Sequence, residues 1–293
     1  MEPRRVVALS PSRDLCGTTP EQFCELLVRP APAWETTRRS RAERPGRLRA
    51  PGAGRKPAPL WLRLLVALTH LRQGTSVRAT ARIFGVHERS VRRWRDEVEA
   101  LLADHGCLPP GAAAPIRTTA ELLAHLEAHP ELPVLVDGTE VPRWSPGDWE
   151  AQQAAWSGKS KAHVLKATVV ADGSRRPLWF EANPSGEGRT HDTTMLRSQT
   201  ALLLALVASG ALIVADQGYR GLRRDIGGRV WVPDIKPRRG VRPARDTDHA
   251  LARMPVEHAI GRMKWWRVLR DWRRPVESFD RTGKAVAALA SML

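Results

Sequence analysis

The sequence predicts a mixed α/β domain preceded by a small all-α domain. Beyond residue 133, short runs of β-branched and aliphatic residues alternate with longer segments in which apolar residues recur at helical spacing. Between residues 60 and 105 only the helical spacing occurs. The later part gives three early strands, a helix, and then strands separated by short turns or helices. This is the order expected of a ribonuclease H-like mixed sheet.

The chain is apolar enough to bury a core and is strongly basic. Its 293 residues are 42% hydrophobic, and its formal net charge is +16. Such a positive field favours a polyanion as partner, and double-stranded DNA fits because neutralised phosphates release their counterions. Heavy use of arginine can also reflect a GC-rich genome, so the inference depends on the excess of charge and not on the choice of arginine.

The cysteines and the apolar segments predict the compartment. Cys16, Cys24 and Cys107 are too few and too scattered for a disulfide framework or a zinc site, which favours a reducing compartment. The most apolar stretch, Ala201 to Ala215, is interrupted by a serine and a glycine, so it predicts a helix end and a strand and not a bilayer span. The N-terminus lacks the apolar segment of a secretion signal. We therefore expect a cytoplasmic, nucleoid-associated protein with no membrane partner.

Residues 1–59 form a basic segment rich in proline, arginine and glycine. It shows little periodicity apart from a candidate helix around Glu21 to Val28. We expect this segment to be partly disordered, with a flexible basic arm from Trp34 to Lys56. Two interpretations of the arm stay open, a solvated linker and a DNA contact.

Residues 60–105 predict a helix-turn-helix. An amphipathic helix, Leu60 to Leu71, ends at Gly74. Ala81, Gly85 and Val91 then follow at the spacing of this motif: a small residue where the helices cross, a glycine that allows positive φ, and a β-branched packing residue. The second helix carries donors for phosphates and guanine edges, namely Arg89, Ser90, Arg92, Arg93 and Arg95. The alternative is a compact three-helix domain with a solvated basic face.

The remaining elements are predicted from residue 106 onward. Residues 106–132 read as a linker with one helix, Thr119 to Ala128, and the α/β domain then spans residues 133–293. Strands are predicted at Val134–Asp137, Lys161–Ala171, Pro177–Glu181, Leu212–Asp216 and Arg229–Pro233. Helices are predicted at Asp192–Ala208 and Val256–Leu269.

Three carboxylates have the pattern of a metal site. Asp137 and Asp216 each end a short aliphatic run, which predicts a strand end, while Glu257 lies in a helical pattern. Carboxylates bind hard cations such as Mg²⁺ or Mn²⁺, and two such ions about 3.5 to 4 Å apart can clamp both oxygens of a phosphodiester displacement. Each residue alone has a structural alternative: a strand-end turn, a turn cap, and a position favoured by the helix dipole, respectively.

Several linked motifs resemble those of a DDE-superfamily transposase. They are VDGTEVPRWSPGDWEAQQAAWSGKSKAHVLKATVVADGSRRP, GRTHDTTMLR, ADQGYRGL, IKPRRG and PVEHAIGRMKWWRVL, in this order. The nearest group is insertion-sequence family five, with its Harbinger-like endonuclease domain, and the similarity runs from about Leu60 to the C-terminus. It implies a retroviral-integrase-like (ribonuclease H-like) fold. It also implies that Asp137, Asp216 and Glu257 are the three catalytic ligands of Mg²⁺ or Mn²⁺, with two ions bound.

The last family motif places a tyrosine, an arginine, the glutamate and a lysine at set spacings. Arg253, Glu257 and Lys264 match it, whereas Ala250 stands where the tyrosine is expected. Glu257 and Lys264 are nearly two helical turns apart, so they share a face, and the lysine is expected to meet the DNA backbone. Pro255 disfavours helical geometry just before it, which predicts that Arg253 can lie outside this helix.

Further basic residues are candidates for phosphate contacts. Lys159 and Lys161 in SGKSKAH, and Arg238 and Arg239 in KPRRG, fall in predicted loops near the sheet. A solvated basic surface is the competing interpretation.

The polar and aromatic residues around these motifs give weaker candidates. Glu140, His191 and Asp192 could support the site, although THDTT is typical of a helix N-cap. His258 should point away from the Glu257 face. Five tryptophans could stack on unpaired bases, although packing in a core or between domains is the commoner role: Trp144, Trp149, Trp156, Trp265 and Trp266.

The resemblance implies an insertion-sequence transposase that acts as a homo-oligomer on transposon ends and target DNA. The helix-turn-helix would hold the ends, and the α/β domain would cut and join strands. Two alternatives stay open. One is a domesticated DNA-binding relative that no longer cuts, and the other is a metal-dependent nuclease that cuts without joining. All three acidic positions are retained, which argues against the first alternative.

Overall fold

A computed structural model describes residues 11–29, 31–42, 57–233 and 247–292. Within these ranges, three helices precede the predicted helix-turn-helix: α1 (Arg13–Cys16), α2 (Pro20–Val28) and α3 (Ala31–Ala42). The candidate helix around residues 21–28 is confirmed, and its buried Phe23 and Leu26 join the core. The expected flexible arm differs, because its first part is helical and the indole of Trp34 donates to Glu97 at 3.1 Å. The rest of that arm, residues 43–56, lies outside the described residues.

The helix-turn-helix comprises α4 (Leu60–Gln73), α5 (Val77–Phe84) and α6 (Glu88–His105). Gly85 ends α5 with a positive φ of 61°, as its place at the turn predicts. Ala81 and Val91 are buried where the helices meet. In contrast, α4 is not amphipathic: every residue from Arg63 to Leu71 is buried, because neighbouring helices cover it on all sides.

A mixed sheet follows, with its strands in the spatial order β2, β3, β1, β5, β6 and with β4 also paired to β3. The strands are β1 (Val134–Pro142), β2 (Trp156–Ser157), β3 (Ala162–Ala171), β4 (Pro177–Ala182), β5 (Ile213–Ala215) and β6 (Val230–Trp231). β1, β3 and β4 pair antiparallel, whereas β1, β5 and β6 pair parallel. This arrangement is the ribonuclease H-like sheet that the element order predicts.

The first strand is longer than predicted, and Asp137 lies inside it. β1 pairs with β3 along its whole length, from Leu135 with Ala171 to Pro142 with Val164. Its pairing with β5 stops at Val136. The prediction that Asp137 ends a strand was therefore wrong, because the polar residues after Asp137 continue an antiparallel ladder on one side only.

The helices around the sheet are α7 (Thr119–Glu127), α8 (Trp149–Ala155), α9 (Asp192–Ser198), α10 (Thr200–Ala208), α11 (Thr247–Lys264) and α12 (Phe279–Met292). The single helix predicted over residues 192–208 is broken at Gln199. The buried amide of Gln199 accepts from Thr168 at 2.6 Å and donates to the carbonyl of Glu181 at 2.8 Å. These contacts tie the helix break to the sheet. Short 3₁₀ turns occur at Gln217–Arg224, Arg267–Leu269 and Val276–Ser278.

One apolar core joins the N-terminal helices, the helix-turn-helix and one face of the sheet. Helix α12 lies between α6 and β4 within it. Glu99 of α6 is fully buried there and accepts from the guanidinium of Arg274 at 2.6 and 2.8 Å and from Thr282 at 3.1 Å. This buried ion pair connects α6 to the segment that precedes α12. None of the described helices has the length and apolar character needed to cross a membrane.

Candidate metal and DNA site

Asp137 and Asp216 follow adjacent positions of two neighbouring parallel strands. Val136 of β1 pairs with Ala215 of β5, and each aspartate is the next residue. Each carboxylate also accepts a backbone N–H from a following glycine, Gly138 at 2.8 Å and Gly218 at 2.9 Å. Asp216 thus caps the 3₁₀ turn, as its structural alternative predicted. This local bond leaves further carboxylate lone pairs for another ligand.

Asp192, which the sequence left as a weak candidate, lies beside these two aspartates. A Cβ atom added at Gly218 would meet Asp192 Oδ2 and Asp216 Oδ1, each at 2.9 Å. One added at Gly138 would meet Asp192 Oδ1 at 3.1 Å. The glycines therefore leave room for three carboxylates. The Asp192 carboxylate accepts from Lys166 Nζ at 2.6 Å, so one of the three charges is neutralised by a buried lysine.

The acidic cluster perturbs the groups around it. Tyr219 is completely buried, and burial together with the charges of Asp192, Asp137 and Asp216 raises its pKa well above the usual value. Burial raises the pKa of Asp137 to about 6, against the opposite effect of the Arg253 guanidinium. A carboxylate held at a raised pKa in a negative pocket is a favourable place for a bound cation.

Arg253 lies between Asp137 and Glu257. Its Nη2 is 3.0 Å from Asp137 Oδ2 and 3.7 Å from Glu257 Oε1. The Glu257 side chain is 57% exposed, whereas those of Arg253 and Asp137 are 18% and 15% exposed. Arg253 is inside α11, so the prediction that it can lie outside the helix was wrong. The helix continues through Pro255 because tertiary contacts of α11 hold it on both sides of the proline.

The carboxylates are suited to a hard cation in donor type but are not closed around one. Within the described ranges, no three His, Cys, Asp or Glu side chains converge closely enough to hold a metal ion. The guanidinium of Arg253 lies between Asp137 and Glu257. The backbone pairing of β1 with β5 places Asp137 and Asp216 side by side, one residue beyond the paired Val136 and Ala215.

A row of residues on α11 contributes to the site. His249, Arg253, Glu257 and Gly261 are spaced four apart, and Trp265 follows at the same spacing just beyond the end of the helix. Because four residues exceed one turn by about 40°, the row winds around α11 and does not keep to one face. The buried imidazole of His249 contacts the carbonyl of Ala215 at 2.9 Å and therefore fixes the start of the row beside Asp216. Sequence reasoning missed His249, although its spacing from Arg253 and Glu257 was a usable signal.

A groove of about 760 Å³ opens beside the part of this row from Glu257 to Trp265, and we call it the metal groove. It is lined by Asp137, Gly138, Thr139, Glu140, Pro142, Lys159, Ser160, Glu257, Ile260, Gly261, Lys264, Trp265, Leu269 and Arg270. Lys159 is exposed within it. Lys264 is half-buried and donates to the carbonyl of Glu140 at 3.1 Å, so it joins α11 to β1. Burial lowers the pKa of Lys264.

The other predicted phosphate contacts are dispersed. Lys161 is exposed in the turn between β2 and β3, and no contact places it in the metal groove. Arg238 and Arg239 lie outside the described residues. Glu140, a weak candidate, accepts from Ser157 at 3.0 Å and lies at the rim.

On α6, the predicted recognition residues are presented to solvent. Arg89, Arg92 and Arg93 are exposed and Ser90 is half-buried. Arg92 pairs with Glu88 at 3.2 Å, which leaves the rest of its guanidinium accessible. Arg95 differs from the expectation, because its mostly buried guanidinium donates to Asp96 at 2.8 Å.

The comparisons with known proteins agree with this architecture. The family model described as "DDE superfamily endonuclease" matches residues 136–293, and the one described as "Helix-turn-helix of DDE superfamily endonuclease" matches residues 62–108. Because the first match covers more than half of the chain, the protein belongs to the DDE superfamily of endonucleases.

A relative found by the same comparisons is more specific. The chain is 26% identical, over 220 residues, to a protein of Streptomyces albus G named "Putative transposase for insertion sequence element IS112". The similar region covers 73% of each chain. No solved structure matches. These matches support DNA binding by the helix-turn-helix and a nuclease or transposase role for the chain.

Proposed function

We propose that this protein is the DNA transposase of an insertion sequence of family five, with a Harbinger-like endonuclease domain. It binds the element's ends and catalyses metal-dependent strand cleavage and transfer. The observation that carries the proposal is the placement of Asp137 and Asp216 on adjacent parallel strands. Glu257 lies close by, because the Arg253 guanidinium contacts both Asp137 and Glu257. The family membership and the transposase relative support the same assignment.

Asp137, Asp216 and Glu257 are the proposed catalytic ligands of Mg²⁺ or Mn²⁺, in a pair of ions. When bound, such ions stabilise the charge that develops on the attacking and leaving oxygens of the scissile phosphate. The protein contributes the position of the ligands: the strand pairing holds the two aspartates together, and α11 carries Glu257. Asp192, held by Lys166, adds a third carboxylate beside Gly138 and Gly218.

Basic residues of the chain hold the DNA in this proposal. Lys159, Lys264 and Arg270 place positive charge along the metal groove, so a scissile strand can lie beside Asp137. Arg89 and Arg92 of α6 are available for base edges, because they are exposed on the second helix of the motif. The assignment extends to a helix-turn-helix over residues 60–105, a catalytic domain over residues 133–293, and a homo-oligomer acting on the nucleoid.

Cleavage and joining assays with labelled element ends test the assignment. Asp137→Asn, Asp216→Asn and Glu257→Gln should each abolish Mg²⁺-dependent nicking while duplex binding persists, because each removes a carboxylate without changing the basic surface. A variant that cuts at the wild-type rate would exclude that residue as a ligand.

The products of the wild-type protein separate the alternatives. Joined product supports a transposase, nicked product alone indicates a nuclease, and binding without any cut indicates a DNA-binding relative. Asp148→Asn is a matched control, because that exposed aspartate caps α8 away from the groove.

A further inference from the structure

A second groove lies on the other side of Glu257. It has a volume of about 680 Å³ and is lined on one wall by α1 and the end of α4 and on the other by α11. Glu257, Gly261 and Trp265 line both this groove and the metal groove. These three residues therefore form a ridge between the two. The ridge is low at Gly261, because this residue has no side chain and a Cβ there would project into open space, with nothing within 4 Å.

This second groove, which we call the arginine groove, is rich in unpaired positive charge. Four arginines line it, against the two carboxylates of Asp14 and Glu257: Arg13, Arg72, Arg175 and Arg262. None of the four makes an ion pair with a carboxylate in the described part of the chain, whereas the nearby Arg274 pairs with the buried Glu99. Unpaired guanidinium groups that converge on one groove repel each other and attract a polyanion.

The local electrostatics agree with this description. Burial and the charges of Arg267 and Arg270 lower the pKa of Arg72, while Asp14 only partly offsets them. Arg72 donates one N–H to the backbone carbonyl of Trp265, and this hydrogen bond connects α4 to the ridge. The ridge itself ends in the Trp265 side chain, which is 60% exposed. A cationic groove with an exposed indole at its rim is suited to a nucleic acid backbone with its bases.

We propose that the arginine groove binds a second DNA duplex, the target into which the cleaved end is joined. This inference rests on the proposed function. Joining requires two DNA molecules to approach the same carboxylates, and the two grooves meet at one of these, Glu257. The end that is cut occupies the metal groove beside Asp137, so the target approaches over the ridge from α1. The α1 wall precedes residue 62 and lies outside the regions matched by either family model.

The test variant removes positive charge from the arginine groove and leaves the lining of the metal groove unchanged. It combines Arg13→Gln, Arg175→Asn and Arg262→Gln, none of which lines the metal groove. Asparagine is chosen at Arg175 because that residue has a positive φ of 65°, which asparagine tolerates. The control removes the same charge from three exposed arginines elsewhere: Arg117→Gln, Arg189→Gln and Arg197→Gln.

Capture of a second duplex is measured without catalysis. Each protein is saturated with a duplex of the element end in EDTA, and binding of a labelled duplex of unrelated sequence is then titrated at several salt concentrations. We expect the groove variant to capture the second duplex about tenfold or more weakly than the control, with a log-log salt slope smaller by up to about three units. End binding and end cleavage in Mg²⁺ should match those of the control.

Two results would overturn the assignment. Equal capture by the groove variant and the control would show that the target binds elsewhere. Loss of end binding in parallel with capture would assign the arginine groove to the element end instead. Failure of the wild-type protein to cut would refute the proposed catalytic function. The two-duplex titration would still show whether the arginine groove binds a second duplex.

Discussion

Replacement of Arg253 by glutamine should destabilise the metal-free protein and strengthen its response to Mg²⁺. The guanidinium lies between Asp137 and Glu257. Without it, the carboxylate of Asp137 stays in a poorly solvated pocket with no opposite charge in contact. A bound Mg²⁺ would supply that charge and would no longer compete with an arginine.

The magnitude follows from the burial of the pair. The two side chains are only 18% and 15% exposed, and removing one partner of a largely buried ion pair costs about 3 kcal/mol. If removal of the competing guanidinium tightens the Mg²⁺ dissociation constant tenfold, saturating Mg²⁺ stabilises the variant by about 1.4 kcal/mol more than it stabilises wild type. The measurement should be made at alkaline pH, because loss of the guanidinium raises the pKa of Asp137 further and a protonated carboxyl would conceal part of the cost.

Chemical denaturation in EDTA and across a Mg²⁺ series measures both effects. Arg270→Gln is the matched control, because that arginine lines the metal groove but makes no ion pair among the described residues. The reasoning would be refuted if Arg253→Gln were as stable as the control in EDTA. It would also be refuted if Mg²⁺ stabilised Arg253→Gln less than wild type.

Three further predictions concern pH and DNA. Metal affinity should fall about tenfold per pH unit below about 6, because a proton then competes for Asp137, and should level off above it; calorimetry across pH checks this. Arg89→Gln with Arg92→Gln should remove the preference for element ends over random duplex in competition binding, while total affinity falls only modestly. Lys264→Gln should lower thermal stability as well as end binding, because its ammonium also joins α11 to β1; an effect on binding alone would contradict that contact.

Much of the fold was predictable because its signals are local. The boundaries of β3 and β4 follow from segments rich in β-branched, aliphatic and aromatic residues. Gly85 marks its turn because few other residues adopt its positive φ. The extension of β1 beyond Asp137 was not predictable, since its polar residues are stabilised by the ladder with β3. The helix break at Gln199 likewise depends on partners more than fifteen residues away.

The candidate site was predictable in its ligand types and less so in its arrangement. Spacing and resemblance select Asp137, Asp216 and Glu257 as candidate ligands, but neither predicts the Arg253 guanidinium between Asp137 and Glu257. Arg253 was misplaced because the local effect of Pro255 was weighed without the contact that holds the helix on β1. Asp192 was only a weak candidate because the start of a helix already explains an aspartate at this position. Its partner Lys166 lies on a buried strand, and the sequence next to Lys166 does not indicate that this lysine pairs with Asp192.

The charges of the site predict an order of metal binding. Arg253 contacts Asp137 and Glu257, and Lys166 contacts Asp192, whereas Asp216 makes no ion pair among the described residues. A first ion is therefore expected to bind at Asp216 with Arg253 in place. A second ion adds repulsion unless the guanidinium moves away. Titration with Mn²⁺, followed by paramagnetic resonance, should therefore give one tighter and one weaker site in wild type. The two affinities should come closer together in Arg253→Gln. Two sites of equal affinity in wild type would show that Arg253 does not limit the second ion.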